Sequence, residues 1–295
     1  MKKYIMLLMA ATAMLCACTP EEKTPTNENN GGGNGYTPLE RHISRTECFY
    51  DYDGEQLSYY CLYTWDGDNL TSVGLYNDID QTLRLQYTIE WNGNKVVRTE
   101  LSSHNIPSQE DAVQYYSTYH YTGNNMTSIE TYGDDEKVVC EMQFEYANGK
   151  IDKIIRIGED PLTLKLDWDN NNVSMLYLQD PYGGSLIPMY HYTYDNKKNP
   201  FNLPDCLTAE ILFSRNTYVM FMAGAFGYLN LPTLGTAHRG LTMTVNNATN
   251  IQAYLGASKS DYTMIYTYDG DWPITKRVDI PNFAENAGMR FYYKD

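Results

Sequence analysis

The chain has 295 residues and a formal net charge of −15, from 37 acidic and 22 basic side chains, and it carries 28 tyrosines. An acidic chain without a basic run is a poor partner for nucleic acid or anionic lipid headgroups, and no apolar run beyond the first residues reaches the ~20 residues of a membrane-crossing helix. Tyrosine together with abundant Asn, Asp, Gly and Thr suits many short strands joined by tight turns.

The chain begins MKKYIMLLMAATAMLCACTPEEK. Lys2 and Lys3 precede an apolar run from Tyr4 to Leu15, which is short for a membrane span and right for a secretory signal. Leu15-Cys16-Ala17-Cys18 resembles a bacterial lipobox, in which a small residue precedes the lipidated cysteine. The resemblance implies that residues 1–17 are removed and that Cys18 carries the lipid; Cys16, preceded by Leu15, fits poorly. An ordinary cleaved signal is the competing reading. Several acyl chains hold a soluble domain stably where one chain is marginal. Residues 19–38 hold Pro, Glu, Asn, Thr and a Gly31-Gly32-Gly33 run, too little apolar surface to offset ordering, so 18–38 reads as a lipidated, flexible tether. Glu21-Glu22 resembles the acidic export tag of Bacteroidetes surface lipoproteins. That implies an outer-membrane anchor with the domain at the cell surface, the periplasmic leaflet being the alternative.

Residues 39–295 read as a single β-repeat domain. With the aromatic before each turn as position zero, the copies are WDGDNLTSV from Trp65, WNGNKVVRT from Trp91, YTGNNMTSI from Tyr121, YANGKIDKI from Tyr146 and WDNNNVSML from Trp168. A sixth, YDNKKNPF from Tyr194, breaks at Pro200; MTVNNATNI from Met243 and YDGDWPITK from Tyr268 follow, and YDGEQLSYY from Tyr52 is an earlier relative. From Trp65 the intervals are 26, 30, 25, 22, 26, 49 and 25 residues, and the 49 predicts a degenerate copy near Tyr218. One turn signal per period of about 25 residues means one hairpin per repeat. In YTIEWNGNKVVRTEL, Tyr87, Ile89 and Trp91 share one face while Thr88 and Glu90 share the other. Asn-Gly, Asp-Gly and Asn-Asn pairs supply the positive φ that tight hairpin turns require. A lone hairpin is marginal, so successive hairpins must bury their shared face together. The expected fold class is therefore all-β, an antiparallel meander of hairpin repeats in a strongly curled or barrel-like sheet, with an apolar insertion at 206–232 packed on its inner face.

The ordered series of aromatic-Asp-Gly turns, YDNKKNPF and VNNATNI…YTYDGDWPITKRV resembles a family of uncharacterised Bacteroidetes lipoproteins, a domain of unknown function with a porin-like β-fold, over residues 45–280. It departs from that pattern at 205–240. The resemblance implies a fold and a cell address and no reaction. Porin-like does not imply a pore: a membrane barrel needs an apolar band on alternate outward residues, and here the second face carries Glu90, Arg98, Glu100, Asp152 and Arg156.

Few residues suggest chemistry. The Asp-rich turns at Asp51, Asp66 and Asp269 offer two or three oxygens where calcium takes six to eight, so they read as turn chemistry and no metal or other cofactor is expected. The Asn-x-Thr/Ser triplets at Asn69, Asn125, Asn172 and Asn247 follow the repeat register. His42, His104, His120, His191 and His238 show no metal-binding spacing, and no nucleophile or nucleotide-binding motif is present. Cys48 and Cys61 are equidistant from the Gly54–Glu55 midpoint, so a hairpin centred there would bring them face to face as a possible disulfide; two unpaired thiols packed in a sheet are the equal alternative. In the insertion, Phe221, Phe226 and Tyr228 either plug the sheet or line a pocket. Of the cluster QYYSTYHY, alternation puts Tyr115, Tyr119 and Tyr121 on one face and Tyr116 on the other, making Tyr116 the candidate for stacking on a ligand. The reading is a non-catalytic envelope lipoprotein that binds or scaffolds a glycan or protein ligand. The alternative is a carbohydrate-active hydrolase whose carboxylate pair the sequence does not single out.

Overall fold

The computed structural model describes residues 39–51, 55–105, 112–158, 161–180, 184–204, 207, 209, 210, 244–255, 258–279 and 286–294. The signal, Cys18, the tether, Cys206, Phe221, Phe226 and Tyr228 lie outside them.

Strands β1 (Ile43–Asp51), β2 (Glu55–Asp66), β3 (Asn69–Asn77) and β4 (Leu83–Asn92) open the domain. Next come β5 (Lys95–Ser103), β6 (Ala112–Thr122), β7 (Asn125–Tyr132) and β8 (Val138–Ala147). The middle of the chain supplies β9 (Lys150–Ile157), β10 (Leu162–Asp169), β11 (Asn172–Gln179) and β12 (Leu186–Lys198). After a long insertion follow β13 (Asn246–Leu255), β14 (Ser258–Asp269), β15 (Trp272–Asp279) and β16 (Asn286–Tyr293). Each strand pairs antiparallel with its predecessor, and β16 returns to β1, closing the meander into a barrel. Alternation decides which side chains enter it. On β4, Leu85, Tyr87 and Ile89 are buried while Glu90 is exposed; on β14, Tyr262 and Met264 are buried while Asp261, Thr263 and Ile265 are exposed.

The repeat signal translates into one recurring device. Asp66 opposes Asn69, Asn92 opposes Lys95, Thr122 opposes Asn125, and the same two-residue turn joins β8 to β9, β10 to β11 and β14 to β15. The first turn residue takes positive φ, +56° at Gly67 and +54° at Asn170, where Gly and Asn are tolerated. Position zero then sits at a β-bulge: Thr64 opposes Ser72 but Trp65 opposes Leu70, leaving Thr71 as the extra residue. Its hydroxyl donates back to the Thr64 carbonyl, as Thr127 does to His120 and Ser174 to Asp167. This bulge is why Thr or Ser recurs two places after Asn69, Asn125 and Asn172.

The aromatic itself staples one repeat to the previous one. Its ring N–H or O–H donates to the carbonyl five residues beyond the preceding aromatic: Trp91 to Leu70, Tyr121 to Val96, Trp168 to Ile151, Tyr194 to Val173 and Tyr293 to Pro273, at 2.6–2.9 Å. A phenylalanine would pack there but could not donate, and Trp or Tyr fills every such position. The seventh repeat varies the scheme: Tyr266 makes the staple to Ala248, and Tyr268 donates to Asp195 instead.

Two repeats are split, and this corrects the sequence count. Tyr194 opposes Ala248, and Thr249 donates to the Thr193 carbonyl, so MTVNNATNI is the returning half of the Tyr194 hairpin. β12 pairs directly with β13, so the insertion stands where the turn of the sixth hairpin would be, and the copy expected near Tyr218 lies outside the described residues. The eighth repeat is divided between the chain ends. Tyr293 opposes Ile43, Ser44 is the bulged residue and donates to the Tyr292 carbonyl, and Trp65 donates to the Ile43 carbonyl. The Tyr52 relative begins outside the described residues.

Candidate functional site

Beyond β12 the chain turns into the barrel. Asn199 bonds the Val245 and Thr244 backbone across the base of the insertion, and Phe201, Leu203, Leu207, Ala209 and Glu210 are all buried. Phe201 packs between Tyr63 and Phe291, with ring centroids at 6.4 and 5.8 Å. So far as it is described, the insertion begins on the inner face, as its apolar composition required.

Glu210 is the focus of the interior. Tyr87 of β4 and Tyr119 of β6 donate their phenol hydroxyls to Oε2, Ser117 of β6 donates to Oε1, and Thr99 of β5 lies 3.0 Å from both oxygens. The wall groups also bond one another, Thr99 with Tyr119 at 3.0 Å and Ser117 with Thr131 of β7 at 2.9 Å. Burial, and then the adjacent carboxylate, push the Tyr87 phenol well above its ordinary pKa, so it stays a donor. These hydroxyls break an apolar pattern. Thr99 stands eight residues after its aromatic, where Val73, Ile129, Ile154 and Leu176 stand in other repeats. Sequence reading missed the cluster; the signals were an acid inside an apolar run and polar residues at inward positions. Among the described residues Glu210 is the one buried carboxylate. No three His, Cys, Asp or Glu side chains converge among those residues.

At the seam, Cys48 and Cys61 are buried, unbridged thiols. Asp51 opposes Glu55, which sets the hairpin centre short of the Gly54–Glu55 midpoint; the bulge at Cys48/Phe49 makes up only part of the difference, so Cys48 opposes Tyr59 and Cys61 opposes Thr46, and the two are not face to face. Burial raises the Cys48 thiol to about 12 and Cys61 well above its ordinary 9.0. Close by, burial lowers the Lys276 ammonium from 10.5 to about 8. Between about pH 8 and 10.5 the unfolded chain binds the Lys276 proton that the folded barrel has released, so stability rises with pH. From about pH 9 the unfolded cysteines lose protons that the folded ones keep, which lowers stability. We expect the denaturant midpoint to climb between pH 8 and 9 and turn over above that range. Lys276→Met should abolish the climb, and a climb that survives the substitution would assign it to another group.

The outer wall carries paired charges among exposed apolar side chains such as Ile157, Leu186, Ile187 and Ile265. Arg98 lies between Glu90 and Glu100, Lys153 pairs with Glu145, and Lys165 with Asp152 and Asp167. Its tyrosines form cross-strand stacks: Tyr60 on Tyr76 at 5.1 Å, and Tyr116 on Tyr132 at 4.8 Å and 7°. The Arg45 guanidinium lies 4.2 Å from the Tyr60 ring centre and that of Arg98 4.1 Å from the Tyr116 ring centre. Tyr116 is thus on the outer face but half-buried, its ring engaged by Tyr132 and Arg98.

No protein-family model and no curated protein matches the sequence. Among solved structures the chain is similar to a porin-like protein from Bacteroides uniformis, at 13% identity over 85% of this chain and 98% of that one, with a TM-score of 0.49. It is also similar to a porin-like protein from Bacteroides vulgatus, at 12% identity over 86% and 99% of the two chains, with a TM-score of 0.38.

Proposed function

We propose that this chain is an envelope lipoprotein, anchored at the outer membrane through Cys18, whose barrel is a non-catalytic module for binding or scaffolding a glycan or protein. The observation that supports this reading is a barrel with an apolar, side-chain-packed interior and a charged outer wall. Paired charges on β4, β5, β8, β9 and β10 interrupt the apolar band that a lipid-embedded barrel carries. Stacked, arginine-covered tyrosines and paired charges leave it suited to contact rather than to chemistry.

The test is protease digestion of intact and lysed cells expressing the wild type or Cys18→Ser, followed with an antibody to the barrel. Membrane retention of the wild type, loss of retention in the variant, and cleavage on intact cells are the expected results. Protection until lysis would turn the domain inward and remove extracellular ligands. A variant that stays with the membrane fraction would sink the anchor.

A further inference from the structure

We infer that the hydroxyl nest on the inner wall is a carboxylate-binding site and that Glu210 occupies it in cis. This rests on the reading of the barrel as a binding module and names the chemistry of its ligand, but its test needs only the purified protein. Three observations carry it. The first is convergence: Tyr87, Thr99, Ser117 and Tyr119, from three adjacent strands, reach both oxygens of one carboxylate.

The second is that wall contacts hold the nest. Thr99 lies directly opposite Ser117, and Ser117 opposite Thr131, so backbone register fixes these hydroxyls in one row across β5, β6 and β7. The Thr99–Tyr119 and Ser117–Thr131 hydrogen bonds involve no atom of the insertion. Glu210 belongs to the insertion and meets the wall as a ligand would.

The third is the kind of donor. Neutral hydroxyls alone meet the two carboxylate oxygens, three donating when Thr99 donates to Tyr119 and four when Thr99 turns to Glu210, and no Lys, Arg or His side chain among the described residues is bonded to Glu210. A phosphate or sulfate would bring further oxygens and more charge, for which the described residues offer neither donors nor a cation. In an apolar interior, hydrogen bonds to a charged acceptor are strong for as long as every donor is used. The site therefore selects a monocarboxylate group, and a ligand bearing one would compete with Glu210.

Acetate is the probe. In Glu210→Ala the unfolding midpoint is expected to rise with acetate and saturate as a binding curve, relative to chloride at equal ionic strength. The wild type should show no such difference, because its nest is filled. Adding Ser117→Ala and Thr99→Val to Glu210→Ala should erase the response. Should the single variant fold poorly, refolding yield in acetate against chloride reads the same site. Equal melting in both salts, or folding in neither, overturns the proposal. That result would leave the membrane anchor untouched, just as an inward-facing domain would leave the nest untouched.

Discussion

Replacing Gly288 by Ala is expected to destabilise the barrel by about 1–3 kcal/mol, the usual range for overpacking. Gly288 of β16 lies opposite Phe49 of β1, at the seam that closes the barrel. A Cβ there would sit 2.3 Å from Phe49 Cζ and 2.5 Å from Cε2. The ring has little room to withdraw. Phe49 is 2% exposed, and the Arg290 and Arg277 guanidinium groups lie 4.9 and 5.3 Å from its centre. Swinging the ring into water would forfeit roughly 1.5–3 kcal/mol of burial. A double-mutant cycle isolates the clash. In a Phe49→Ala background, Gly288→Ala should be neutral or stabilising, since Ala is favoured over Gly in a strand by roughly 0.5–1 kcal/mol. If Gly288→Ala costs the same in both backgrounds, the ring is not what demands glycine.

The largest single-residue effect is expected at Tyr87, which is 1% exposed and joins the apolar wall to Glu210. Tyr87→Ala removes a buried ring and should cost about 3–5 kcal/mol. Tyr87→Phe keeps the ring and deletes one donor to a buried carboxylate, for about 1.5–3 kcal/mol. Denaturant titrations at constant m-value give both numbers. The difference between them is the packing share, and the Phe variant alone reports the nest. A neutral Tyr87→Phe would mean that the phenol does not hold Glu210.

Most of the barrel is written locally. Trp65, Trp91, Tyr121, Tyr146 and Trp168 each announce a strand end, a two-residue turn and a bulge within about ten residues, because hairpins are built from near neighbours. Alternation then gave the inward face of each strand. What escaped was non-local. That β16 meets β1 is a pairing across nearly the whole chain, and periodicity alone left open a closed barrel or a curled sheet. The 49-residue interval looked like two periods because an insertion of similar length interrupts one hairpin. Cys48 and Cys61 are not face to face because Asp51 opposes Glu55, so the hairpin centre lies short of the Gly54–Glu55 midpoint and Cys48 meets Tyr59. Glu210 escaped because its significance lies in Thr99, Ser117 and Tyr87, which are 93–123 residues away in sequence.

The divided eighth repeat sets the order in which the molecule can form. Seven hairpins need only contacts within one or two repeats, and they can zip up as the chain emerges. The last pairing must gather the two ends, with Ile43 opposite Tyr293. Closing a loop some ten times longer than one repeat adds about 2 kcal/mol of entropy, at about 0.6 kcal/mol per doubling. Until β16 arrives, β1 and β15 are bare edges, each able to pair with any passing strand. A chain stopped short of Asn286 is therefore an open sheet with two adhesive margins rather than a slightly smaller barrel. The eight residues of β16 act as the latch that ends its exposure to aggregation.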